Sequence, residues 1–143
     1  MSNDASSIRV LHVCTGLELG GAERIMLNCA VEGRNQGYTS KVAALKSGGE
    51  MRSALESQGI AVTELGASAA IPDPFAFRRL LAEIASFRPH LVQGWLYHGN
   101  LFALAAARLS RHLTADQLLW GIYNSSLDLK QYPWRMSAVF NAN

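Results

Sequence analysis

The run Thr15-Gly16-Leu17-Glu18-Leu19-Gly20-Gly21-Ala22-Glu23-Arg24 joins an apolar stretch to a segment with helical spacing. Paired glycines at 20 and 21 let backbone N–H groups approach a ligand with no Cβ in the way. The N-terminus of the helix that follows carries about half a positive charge, which favours phosphate or carboxylate. A plain strand-to-helix turn would use the same glycines, but this loop is longer than such a turn needs, and that favours a ligand. The second candidate is His98, in Gln93-Gly94-Trp95-Leu96-Tyr97-His98-Gly99-Asn100. A histidine at a helix N-terminus has its cationic form disfavoured, so it is expected neutral and able to donate or accept a hydrogen bond. Lone histidines more often cap or pack. Position singles out His98: His12 falls inside a strand pattern, His90 begins one, and His112 lies in a connection. The third candidate, Tyr123-Asn124-Ser125-Ser126-Leu127-Asp128, offers amides and hydroxyls suited to a polyol, although polar turns commonly bond their own backbone. The turn Ser47-Gly48-Gly49-Glu50 is similar, and Glu50 also suits the start of a helix.

Spacing excludes several chemistries. A dinucleotide fingerprint needs G-x-G-x-x-G and an acid about 20 residues further on. Gly16, Gly20 and Gly21 do not fit that spacing, and the second apolar run ends in Leu45-Lys46-Ser47. A P-loop needs Gly-Lys-Ser/Thr, whereas Gly21 is followed by Ala22-Glu23. The chain has no His/Cys/Asp/Glu set at metal-ligand spacing, no G-x-S-x-G elbow and no Asp-x-Asp pair of the kind that holds a nucleotide's divalent ion. No metal and no resident cofactor are expected. Cys14 and Cys29 are too few and too far apart for a disulfide framework or a C-x-x-C redox pair.

The elements that must position these residues alternate in period. Short β-type runs occupy 8–14, 40–45, 60–65, 90–95 and 117–122, several of them near-continuous in Val, Ile and Leu, as buried parallel strands require. Between them, Ala22, Ile25, Met26, Cys29 and Ala30 follow helical spacing. So do Phe77, Leu80, Leu81, Ile84 and Ala85, and less regularly Leu101, Leu104, Ala105 and Leu109. Met51, Ala54 and Leu55 make a shorter version. Gly37 and Gly59 sit where helices should stop, Asp73-Pro74 reads as an N-cap with proline in the first turn, and Pro89 precedes the fourth strand. The order β-α-β-α-β-α-β-α-β predicts an α/β fold: a doubly wound, Rossmann-like parallel sheet with helices on both faces. Ligands of such sheets bind at the carboxyl ends of the strands, near the point where strand order reverses. The candidate loops follow strands one, four and five.

Composition supports one folded domain. The chain has 143 residues, of which 49% are hydrophobic and 17% charged, with a net charge of +2. That balance argues against disorder and against a nucleic-acid partner. The polar start Met1-Ser2-Asn3-Asp4-Ala5-Ser6-Ser7 is not a secretory signal, and no apolar run has the roughly 18 residues of a membrane span, so a cytoplasmic location is expected. From about Lys130 the pattern is helix-prone, carrying Tyr132, Trp134, Met136, Val139 and Phe140. An aromatic helix with no closing strand predicts the first half of something larger. Residues 1–129 form the domain in this reading, and 130–143 a tail that packs on a second domain, self-associates, or, with Lys130 and Arg135, touches a membrane surface peripherally.

The run from Ile8 to Glu23, centred on Leu17-Glu18-Leu19-Gly20-Gly21-Ala22-Glu23-Arg24, resembles the amino-terminal domain of family 4 (group 1) glycosyltransferases, which have the two-Rossmann-domain GT-B fold. Leu45-Lys46-Ser47-Gly48-Gly49, Phe87-Arg88-Pro89-His90-Leu91-Val92-Gln93, Tyr97-His98-Gly99-Asn100 and Trp120-Gly121-Ile122-Tyr123-Asn124-Ser125-Ser126 continue the resemblance in order. It implies transfer of a sugar from a nucleotide-sugar donor to a sugar or lipid-linked acceptor, with retention and without a metal, in glycan or glycolipid synthesis. It implies that Gly20 and Gly21, with Glu23 in the same loop, lie against the donor diphosphate. His98 matches the histidine that faces the transferred sugar; Asn100, Asn124 and Ser125 are the expected polar contacts. The C-terminal donor-binding domain of the family has no counterpart here, so the isolated chain is expected to be inactive. Two other readings stay open: a non-catalytic Rossmann-like module that binds a sugar phosphate, and an NADP-dependent oxidoreductase fragment with Lys46 near a 2′-phosphate.

Overall fold

The computed structural model describes residues 7–67 and 73–121. Five strands, β1 (Arg9–Cys14), β2 (Thr39–Ala44), β3 (Ala61–Glu64), β4 (Leu91–Trp95) and β5 (Leu118–Gly121), form one sheet in the order β3-β2-β1-β4-β5. Every pairing is parallel. The connecting helices are α1 (Gly21–Asn35), α2 (Met51–Ser57), α3 (Pro74–Phe87) and α4 (Leu96–Leu109), with a short 3-10 turn (Ala115–Gln117) before β5. The Rossmann-like α/β sheet expected from the sequence is the fold. Residues 122–143, including the aromatic tail, lie outside the described residues.

Alternation along each strand divides the core in two. Leu11 and Val13 of β1 join Leu80 and Ile84 of α3 and Phe102, Ala103 and Ala106 of α4 on one face. Cys14 joins Met26 and Ala30 of α1, Leu55 of α2 and Trp95 of β4 on the other. Local signals act as expected at α3: the Asp73 side chain accepts from the N–H groups of Phe75 and Ala76, with Pro74 in the first turn.

The buried stripe of α4 differs from the expected one. Leu109 is 68% exposed, and Leu101, Leu104 and Ala105 are only half-buried. The helix buries Gly99, Phe102, Ala103 and Ala106 instead. Gly99, Ala103 and Ala106 on that side let the helix press against the sheet, where a leucine stripe at the same spacing would hold it away. Gly99 marks the closest approach: a Cβ there would collide with the carbonyl oxygen of Val13 in β1. Leu101 and Leu109 instead line an apolar groove of about 520 Å³ with Pro74 and Phe77 of α3 and with Phe102. Similarly, α1 buries Met26 and Ala30 but leaves Ile25 and Cys29 exposed.

His12 is buried inside β1, where the Trp95 indole N–H donates to its Nδ1 at 3.2 Å. An accepting Nδ1 places the ring proton on Nε2, and burial lowers the pKa to about 4. Unfolded, the ring titrates near 6.5, so between these values the unfolded chain holds the extra proton. Stability is therefore full above about pH 6.5 and is lost as pH falls toward the folded value. His12 is expected to remove about 2 kcal/mol between about pH 7.5 and about pH 5. Urea melts of the native chain and of His12→Gln, whose amide oxygen still accepts from Trp95, check this. The native chain should lose more stability than the variant over that interval; parallel losses would exclude His12 as the source.

Candidate functional site

The sheet order reverses between β1 and β4, since β2 and β3 run to one side of β1 and β4 and β5 to the other. The crevice at their carboxyl ends is bordered by the β1–α1 loop and the first turn of α4. These elements carry the Gly20-Gly21 and His98 candidates. β4 passes into α4 with no intervening loop: Leu96, at φ 58°, makes the turn in the left-handed region, a strained conformation for a leucine. His98 consequently sits in the first helical turn, half-buried. Its pKa is lowered, first by burial and then by the charge of Lys46. Burial, rather than the helix N-terminus considered from the sequence, is the leading cause of this shift.

The β1–α1 loop is tied to the next loop along the edge. Leu45, Lys46 and Met51 donate their backbone N–H groups to the carbonyls of Cys14, Thr15 and Leu17, each at 2.9 Å. Gly49, at φ 109°, packs so closely on the Leu17 backbone that no Cβ fits. Gly20 and Gly21 are different. Gly20 is extended at φ −139°, and neither it nor Gly21 lies in the positive-φ region, so backbone conformation does not demand glycine at either. A Cβ on Gly21 would meet nothing within 4 Å, while one on Gly20 would meet only the Glu23 carboxylate. What these glycines leave is open space above the start of α1. Glu23 lies in that first turn with its carboxylate folded toward Gly20, and the exposed Glu18 folds toward Gly16.

Asn100 is 3% exposed and donates from Nδ2 to the Gly121 carbonyl at 3.3 Å, tying α4 to the end of β5. Its Oδ1 is buried without a hydrogen bond, 2.5 Å from where a Cβ on Gly94 would stand. The Nδ2 end of its amide is thus engaged inside the fold. Asn124 and Ser125 lie outside the described residues. Cys14 is no nucleophile: burial foremost, then the charges of Glu23 and Glu18, push its thiol up to about 12. Among the described residues no three His, Cys, Asp or Glu side chains gather as a metal site requires, and no helix is long and apolar enough to cross a membrane.

Sequence reasoning gave Lys46 a role only in the oxidoreductase alternative. The structure sets it at the end of β2, exposed, and near enough to His98 to act on its charge. A cation immediately after a strand at the ligand edge was the available signal.

Sheet order and crevice together define a Rossmann-like α/β domain with its candidate site at the β1/β4 reversal. Among solved structures, a glycosyltransferase from Rickettsia africae ESF-5 is similar in fold, with a TM-score of 0.64 and 18% identity. The match covers 96% of this chain and 34% of that one, so the chain spans about a third of its structural neighbour. No protein-family model matches the sequence. No curated protein matches it either.

Proposed function

We propose that this chain is the acceptor-side, amino-terminal domain of a retaining, metal-independent glycosyltransferase of two Rossmann-like domains, with residues 130–143 leading toward the donor-binding domain. The observation that carries the reading is a half-buried His98, its pKa lowered by burial and by Lys46, at the β1/β4 reversal that the open glycine loop also borders. The fold likeness to a glycosyltransferase over nearly the whole chain supports it. In this reading the nucleotide sugar lies in the cleft between the two domains. The space over Gly21 admits part of that donor, and His98 hydrogen-bonds the sugar being transferred. A neutral imidazole serves here because it donates and accepts without placing a second cation beside Lys46.

The two-domain protein, incubated with a panel of nucleotide sugars and acceptors, is expected to release nucleotide. Gly21→Val should lower that rate about tenfold or more, as added methyls in a filled site do. The melting temperature should stay within about 1 °C, because the added carbons enter open space. The isolated chain, with one wall of the cleft, should release none. Turnover by the isolated chain would overturn the half-enzyme reading, and no release from the two-domain protein would overturn the transferase reading.

A further inference from the structure

An anion approaching the start of α1 meets carboxylates that already belong to the chain. Glu23 is folded toward Gly20 at the helix N-terminus, and Glu18 toward Gly16. The positive charge of this edge stands one strand away. Lys46 follows β2, held by its backbone N–H on the Thr15 carbonyl at 2.9 Å. Its side chain is exposed and forms no ion pair among the described residues, where Lys41 and Arg52 are the cations paired to carboxylates. On the other side of β1, Gly99 rests on the Val13 carbonyl, and this sets the first turn of α4, with His98, over the end of β1. Along the edge the order is therefore an unpaired ammonium after β2, the Thr15-Gly16 backbone after β1, and a half-buried imidazole after β4.

These groups complement one kind of ligand. A free ammonium takes an anionic oxygen and a neutral imidazole takes a hydroxyl, while the Glu18 and Glu23 carboxylates in the β1–α1 loop disfavour a second anion. We infer that the Lys46–His98 edge holds an anionic sugar, with its phosphate or carboxylate on Lys46 and a neighbouring hydroxyl on His98. The inference rests on the transferase reading and specifies the sugar that His98 contacts there: one that bears one negative group.

The test uses the 143-residue chain and follows the His98 and Lys46 side-chain resonances during titration with glucose 6-phosphate, glucuronate, glucose and pyrophosphate. The first two probes separate phosphate from carboxylate as the anion. Pyrophosphate stands for the donor's own phosphates. At least one sugar anion should bind about tenfold more tightly than glucose, the difference a single charge-assisted hydrogen bond makes. Lys46→Gln should erase the preference. Because Lys46 is exposed, Lys46→Gln should melt with the native chain. Three results would overturn the assignment: glucose binding as well as the sugar anions, a preference that survives Lys46→Gln, or pyrophosphate outcompeting the sugar anions. Each leaves nucleotide release by the two-domain protein, the measure of the transferase reading, unaffected.

Discussion

Gly99→Ala should destabilise the domain by about 2 kcal/mol or more, lowering the melting temperature by about 7 °C, although alanine is the better helix former. Two effects oppose each other at this position. A methyl in an exposed helix would add up to about 1 kcal/mol of propensity. Here the methyl meets the Val13 carbonyl oxygen, which belongs to the central strand and is held by neighbours on both sides. A flexible side chain could turn away, but a carbonyl in a paired strand cannot, so α4 must shift outward. Overpacking of this kind costs about 1–3 kcal/mol and sometimes more, which exceeds the propensity gain. Moving α4 would also disturb the Asn100–Gly121 bond and displace His98. Gly21→Ala is the control, expected within about 0.5 kcal/mol of the native chain. Equal melts for Gly99→Ala and the native chain would show that the helix does not approach β1 this closely.

In the two-domain transferase, His98→Ala is expected to lower kcat about 10²-fold, the effect of removing one well-placed polar stabiliser. The imidazole is half-buried in the first turn of α4, and its neutral form is maintained by burial and by Lys46. A hydrogen bond from such a group strengthens as charge develops on the sugar, so its loss falls on kcat more than on KM. His98→Gln, which keeps a donor and an acceptor, should recover part of the rate. A histidine that merely packs would behave differently: His98→Ala would then lower the melting temperature while kcat stayed near native.

The central strand was readable from the sequence because a buried parallel strand leaves an apolar run, as β1 does. The helix boundaries were readable from Asp73, Gly37 and Gly59. The inward face of α4 was not. A leucine stripe and a small-residue stripe both repeat at helical spacing, and which of them faces the sheet depends on how near the helix must come. Among the site candidates, the loop at 20–21 and His98 were recognisable because topology alone sends residues after strands one and four to the crevice. Asn100, two residues beyond His98, turns inward to β5, a fact set by the helix rotation and invisible in the spacing. Lys46 was legible only as a partner for a 2′-phosphate, because its effect on His98 runs across the intervening strand.

The three bonds and the Gly49 contact that join the β1–α1 and β2–α2 loops bear on the entropy of binding. Two separate loops would each lose conformational freedom when a ligand settled on them, at about 1–2 kcal/mol for every residue immobilised. Residues 14–17 and 45–51 are already fastened to each other in the folded domain, and that loss was incurred during folding. A ligand reaching both Thr15 and Lys46 meets a preorganised shelf, so more of its contact energy remains as affinity.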